Sequence, residues 1–257
     1  MLRPTTNKVN KSKWEEDFET KKYRIDIVEA ELQIPVRTMQ ASLDLKLEQL
    51  LAKSPMVYRT VRMDMMKVDI PLGATGYTNT SLKSATLCPD RMFFAFVPEY
   101  QMSGKTGCNS YRFSAVISKE NAAMDDEDNA SLIDMKLYIN SELLESYDTN
   151  TRADTLKRKY LELNNSLGNT RLSDSSVSFG IPDYANLKFV VGYDLTVSKN
   201  AALLGPDVRG VNKDGAMKLD LKFDKPIPAK VWLLVFSEYH SKVEIDKNRN
   251  VSYFYIN

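Results

Sequence analysis

The stretch Met217–Tyr255, MKLDLKFDKPIPAKVWLLVFSEYHSKVEIDKNRNVSYFY, decides the fold. Met217, Leu219, Leu221 and Phe223 alternate with Lys218, Asp220 and Lys222. An alternation of period two is a strand with one buried and one wet face. Pro226 and Pro228 cannot donate to a ladder, so the chain turns between Asp224 and Ala229. Val231–Phe236 is a continuous apolar run with Trp232 inside it, of the length and β-branching of a strand covered on both faces. It continues to Val243 and Ile245, which alternate with Lys242, Glu244 and Asp246. A polar turn over Lys247–Asn250 leads to a closing strand with Val251, Tyr253 and Tyr255. The predicted unit is three consecutive antiparallel strands in one sheet, on which the rest of the chain must pack.

Working back from that unit, Phe189–Val197 (FVVGYDLTV) reads as a strand with Gly192 as a bulge. Asn200–Gly215 reads as loop, as do residues 168–186, rich in Ser, Asn, Asp and Gly. Leu156, Tyr160, Leu163 and Leu167 step by helical intervals, with Asp154 near the start and Gly168 at the end, so Thr151–Leu167 is a predicted helix. Ile133, Met135, Leu137 and Ile139 alternate as a strand that turns at Asn140-Ser141 into Leu143–Tyr147. Tyr111–Ser118, with Phe113, Ala115 and Ile117 on one side, and Arg91–Val97 (RMFFAFV) are further strands, separated by a surface loop over Glu99–Ser110. Val57–Ile70 reads as a strand with a slip in register, followed by a loop over Pro71–Gly76.

Near the N-terminus, Ser42 reads as a helix N-cap. Leu43, Leu47, Leu50 and Leu51 form one apolar stripe, and Pro55 ends the helix. It is either a lid on the domain edge or a helix that binds a partner. Tyr23–Val36 alternates loosely as one or two strands. Residues 1–22 are polar, without periodicity, and read as an arm with Trp14 and Phe18 as anchors.

The 257 residues leave room for one large β domain with an appendage, or for two small domains. A hydrophobic share of 43% supports a core, and a net charge of +1 gives no strong attraction to nucleic acid or acidic membranes. No apolar run is long enough to span a bilayer, and the first residues lack the apolar centre of a signal peptide, which favours synthesis in the cytosol. Cys88 and Cys108 are too few for a disulfide framework and are expected to be reduced.

The sum is about eight strands, two short helices in connections and no βαβ alternation, hence an all-β antiparallel double-sheet sandwich. The jelly roll is the commonest such form; spacing alone leaves an immunoglobulin-like or C2-like sandwich open. Motifs for chemistry are missing. There is no P-loop, no GxGxxG after a strand, no HExxH, no CxxC and no GxSxG. The single histidine, His240, excludes a site with two imidazoles and reads as an ordinary strand-end residue, with a catalytic pairing to Cys88, Cys108 or a serine as the sharper alternative. Asp125–Asp128 lacks the spacing and glycine of an EF-hand and reads as a solvated loop. Tyr23, Tyr253 and Tyr255 read as core or interface residues, because the aromatics do not interleave with basic residues. No catalytic, cofactor-binding or metal-ligating residue is assigned.

The C-terminal stretch resembles the end of jelly-roll capsid proteins of Maverick/Polinton-type elements and related DNA viruses. The shared features are the alternating strand, the Pro-containing turn, the apolar strand ending in Glu-aromatic, and the EIDKNRNV turn into an aromatic strand. Val190–Thr196 (VGYDLT with its preceding Val), Leu87–Val97 (LCPDRMFFAFV) and Ile34–Met65, with its leucine helix and Tyr58-Arg59, are similar to that family in the same order. The resemblance covers residues 34–257. Residues 99–110 and 120–131 depart from the family's usual loops, and this chain has room for one jelly roll where the lineage commonly carries two. The chain is expected to divide into an N-terminal arm with a short helix over 1–56 and a jelly-roll domain over 57–257. The resemblance implies a structural capsid protein without enzyme activity or cofactor, self-associating as trimers or pseudo-hexamers and meeting other capsid proteins. No membrane span or sequence-specific nucleic-acid binding is expected. The expected location is the virion, with synthesis in the host cytoplasm and the nucleus as candidate assembly compartment. The rival reading is a non-catalytic β-sandwich binding module for a glycan or protein partner.

Overall fold

The structure, a computed structural model, describes residues 29, 31, 40–79, 81–82, 88–102, 112–119, 127–148, 153–167, 179–196 and 216–255. The first sheet is built on β9 (Val231–Ile245), which runs antiparallel to β1 (Met56–Ile70) along its whole length. On its other edge β9 pairs with β3 (Arg91–Pro98) from Val231 to Glu238, and with β10 (Val251–Tyr255) from Ser241 to Ile245. β7 (Val190–Asp194) extends the sheet beyond β3. The second sheet is built on β5 (Ala130–Ile139), flanked by β8 (Met217–Phe223) on one side. Its other side pairs first with β4 (Val116–Ile117) and then with β6 (Glu142–Asp148). β2 (Gly76–Asn79) closes the far edge beside β8. All of these pairings are antiparallel.

The two sheets have one topology when the short β4 and the terminal β10 are set aside. Number the other eight strands along the chain. The first then pairs with the eighth (β1·β9), the second with the seventh (β2·β8), the third with the sixth (β3·β7) and the fourth with the fifth (β5·β6). A long hairpin rolled up so that successive pairs fall in alternate sheets produces this order, which is the jelly roll. The fold class expected from the sequence is therefore the observed one.

The cross-strand partners say which side chains share a face. On the inner face of the first sheet lie Val68 and Ile70 of β1, Val231, Leu233 and Val235 of β9, Phe94 and Phe96 of β3, and Val191 and Tyr193 of β7. Facing them are Met217, Leu219, Leu221 and Phe223 of β8 and Leu132, Met135, Leu137 and Ile139 of β5. All are buried in one continuous core. Each such side chain contributes about 1.5–3 kcal/mol by leaving water.

Among the described residues, the helix α1 (Ala41–Lys53) precedes β1, and α2 (Ala153–Ser166) and α3 (Ile181–Leu187) lie in the connection between β6 and β7. α2 packs on the outer face of the first sheet over β7. Its approach is close: a Cβ on Gly192 would sit 2.5 Å from Ser166 Oγ, 3.1 Å from Leu163 Cδ1 and 3.2 Å from Phe93 Cδ1. α3 carries the fully buried Tyr184, whose ring lies 5.6 Å from Tyr160 and 5.4 Å from Phe189. Its hydroxyl donates to the Val190 carbonyl at 3.0 Å.

Several expectations need correction. β8 and β9 do not pair; each belongs to a different sheet, so Met217–Tyr255 is not one three-stranded sheet. The Pro226–Pro228 turn instead carries the chain across the sandwich. Ile227, between the prolines, is buried, and its N–H and carbonyl bond to Ala74 and Gly73 of the loop before β2. β1 pairs with β9 without a register slip. Gly192 is not a bulge, because β7 keeps regular register with β3; it makes room for α2. The bulge lies in β5 between Leu132 and Asp134, which puts Leu132 rather than Ile133 into the core. Between residues 111 and 118 only Val116–Ile117 forms a strand, while Phe113 makes an isolated bridge to Lys188. α3 falls in a stretch read as loop, and β2 starts at Gly76, the last residue of the Pro71–Gly76 loop, in residues to which the sequence assigned no element. Ser42 is not the N-cap of α1; Gln40 holds that position without a side-chain cap. None of the residues of α1 is buried, so the helix is not a sealed lid.

Candidate functional site

The residues singled out for chemistry do not converge. His240 sits inside β9, not at its end, and is 2% exposed. Its backbone N–H donates to Asp90 Oδ2 at 2.6 Å, and its Nδ1 lies 3.4 Å from the same oxygen without a hydrogen-bonding alignment. A substrate cannot reach this imidazole without opening the sheet. Burial, the largest influence, holds the Asp90 carboxyl above its ordinary range, against the lowering effect of the His240 N–H. The Asp90 N–H donates to the Glu238 carbonyl, and the Asp90 carbonyl accepts from the Leu195 N–H. Asp90 thus ties the start of β3 to β9 and to the end of β7.

Beside it Arg91 and Glu238 form a buried ion pair, with Arg91 Nε 2.6 Å from Glu238 Oε1. Arg91 Nη1 also donates to the Ser166 carbonyl at 2.7 Å, at the C-terminal end of α2, where a cation suits the helix dipole. This cluster clamps sheet to helix; its polar atoms are spent on each other. Cys88 is half-buried, with Sγ 4.0 Å from Met217 Sδ. Asp128 is exposed and pairs with Lys119, which holds its carboxyl below the ordinary range. Among the described residues no group of His, Cys, Asp and Glu could hold a metal ion, and no helix is long and apolar enough to cross a membrane. Trp14, Phe18, Tyr23, Cys108, Asp125 and Asp126 lie outside the described residues.

What the surface offers instead is apolar. Beyond Glu238 the first sheet narrows to β1, β9 and β10. There Val57, Tyr58, Val61, Val251, Tyr253 and Phe254 are all exposed. β1 is the last strand of this sheet among the described residues. Next to that edge, on the outer face, is a groove of about 480 Å³. Met63, Phe236, Phe93 and Val190 form its floor across four strands; Leu163 and Phe179 form its wall, and among the described residues Lys188 is the one polar side chain lining it. The Lys188 ammonium rests 4.8 Å from the centre of the Phe179 ring. Sequence reading found the leucine stripe of α1 because its residues are neighbours in the chain. It missed the groove because the groove's residues are brought together only by the rolled topology.

No family model matches the chain, and no curated protein matches it significantly in sequence. Solved structures do resemble it. One is a crystal structure of PBCV-1 VP54 fitted into a cryo-EM reconstruction of the virophage Sputnik, with a TM-score of 0.52 and 11% identity over 85% of this chain and 55% of that chain. A cryo-EM structure of the Sputnik virophage matches with a TM-score of 0.43 and 10% identity over 78% of this chain and 39% of that one. The mavirus major capsid protein matches with a TM-score of 0.36 and 10% identity, covering 78% and 41% respectively. The chain spans about half the length of VP54, at 55%, and over most of its own length it shares that protein's fold.

Proposed function

We propose that this chain is a structural capsid protein that assembles with copies of itself, by side-by-side packing of jelly rolls, into capsomers or a shell. The observation that carries the reading is the shared fold with VP54, whose structure was fitted into a virophage reconstruction. The uncovered apolar side chains of β1, β10 and α1 support it, since a chain that works alone rarely leaves such surface in water. On this reading residues 1–56 are an arm with a helix, residues 57–257 the building block, and the virion the location. Self-association as trimers or pseudo-hexamers, with neighbouring capsid proteins as further partners, follows from the same reading. The protein acts by shape and contact, without catalysis or a cofactor. As a glycan site the groove is poorly equipped, because among its described lining side chains only Lys188 offers a hydrogen bond.

Sedimentation velocity and negative-stain microscopy of the full chain test the proposal. Defined oligomers or particles that grow with concentration are expected. A strict monomer at high protein concentration, with no particles, would sink it.

A further inference from the structure

We infer that the leucine stripe of α1 in one copy seats in the outer-face groove of the next copy, joining copies head to tail. The inference rests on the self-assembly reading above and names its contact. Each chain carries an open apolar groove and a helix stripe of which Leu43 and Leu50 stand in water while Leu47 and Leu51 are half-buried on their own chain. α1 presents Leu43, Leu47, Leu50 and Leu51 at intervals of four, three and one, a single stripe on a helix with no buried residue. Leu50 is 60% exposed. The groove is open, nearly all apolar, and floored by the sheet. An amphipathic helix laid into an apolar groove is a recurrent mode of recognition.

The helix cannot fill the groove of its own chain. Only Ser54 and Pro55 separate α1 from β1. From Leu43 to that joint the helix rises about 16 Å. Met63, the groove residue nearest the joint along β1, lies eight extended residues beyond Pro55, about 26 Å. The rest of the groove is farther still. The C-terminal turn of α1 lies instead at the foot of the sheet, where Leu51, Lys53 and Pro55 line a shallow cleft with Glu244, Asp246 and Ser252. The helix that seats in the groove therefore comes from a second copy.

Charge favours the same occupant. Asp44 and Glu48, one helical turn apart, border the stripe on one flank, while Lys46 and Lys53 lie on the other. Lys188 stands on the groove's rim and would meet the acidic flank. Because helix and groove are different patches, the contact is heterologous: it closes as a ring or extends as an array, rather than pairing two copies.

The test uses the full chain and two exposed positions. Leu50→Asp spoils the helix, and Met63→Asp spoils the groove, at side chains 60% and 54% exposed, so both variants should keep the wild-type circular dichroism and melting temperature. Each alone should sediment as a monomer. Mixed in equal amounts they should form a heterodimer and nothing larger, since each supplies the half the other lacks. Lys188→Glu and Glu48→Lys should each weaken association by about fivefold, and the double variant should recover it. Two monomeric variants that fail to complement overturn the inference. Assembly that persists in both Asp variants overturns it as well, while leaving self-assembly standing through another surface. A wild-type chain that never associates removes both readings together.

Discussion

The first half of β9, Val231–Glu238, and its second half, Tyr239–Ile245, share β1 on one edge and differ in everything else. The first half has β3 on its other edge, the second sheet beneath it and α2 over its neighbour β7. The second half has only β10 on that edge; Tyr239, His240 and Ser241 at its start are buried, but beyond them most of the apolar side chains of β1 and β10 are wet. Backbone pairing is equally regular in both. What separates them is whether a second layer covers the faces, and a sheet with one bare end is stable only because the covered end anchors it.

If that contrast is right, the largest losses come from the covered half. Phe94 is fully buried opposite Val235, with its ring 5.7 Å from Tyr193. Phe94→Ala removes that ring from both layers and should lower stability by about 3–5 kcal/mol, read as the urea midpoint at constant slope. A loss below about 1 kcal/mol would mean the two sheets are not one core.

Gly192→Ala is the next step down. The added methyl would push on Ser166 and Leu163 of α2 and on Phe93 beneath them. The serine hydroxyl can turn aside; the leucine and the phenylalanine ring are packed. Overpacking of this kind costs about 1–3 kcal/mol. The same substitution should change the groove, since Leu163 and Phe93 line it, whereas Phe94→Ala should not. A neutral outcome would show that α2 rides loosely on the sheet.

These sites also show which parts of the fold were legible in the chain. The covered strands announced themselves: Leu137 and Ile139 of β5, like Leu219 and Leu221 of β8, alternate because one face of each meets the core. The turn at Asn140-Ser141 was legible because both residues adopt positive φ, 53° and 67°, as a two-residue hairpin requires. Partner choice was not legible. A proline turn looks the same whether the chain returns to its own sheet or crosses to the other. The one local sign was Ile227, an apolar residue at what would otherwise be an exposed hairpin tip. α3 escaped because seven residues give barely two turns, too short for a period. For the site, the stripe of α1 is local and was read, whereas Met63, Phe93, Val190 and Phe236 meet only in the folded sheet.

Asp90 sharpens the comparison at the boundary between the two halves. Burial favours its neutral form in the folded chain. A carboxyl whose folded pKa is raised gives its full contribution below the ordinary carboxylate value and loses it as pH rises through the folded value. Asp90→Asn stays neutral at every pH and keeps an acceptor for the His240 N–H. The stability of the wild type relative to this variant should therefore fall as pH rises above about 4. Unfolding in urea at several pH values measures the difference; a gap that does not vary with pH would show that Asp90 is not the group desolvated at this boundary.

The smallest stability effect belongs to the bare half, and there it parts from the effect on association. Tyr253 pairs with Val243 across β9 and β10 and keeps nearly half of its surface in water, at 44% exposure. Tyr253→Ser should change stability by no more than about 0.5 kcal/mol, because little packing is lost. If copies meet on this face, the same change removes an aromatic anchor, a side chain of the kind that dominates interface energies. Association should then weaken by about tenfold, measured by sedimentation across a concentration series. A variant that melts early would place Tyr253 with the covered half after all. One that folds and associates like the wild type would mean that the bare end of the sheet meets no neighbour.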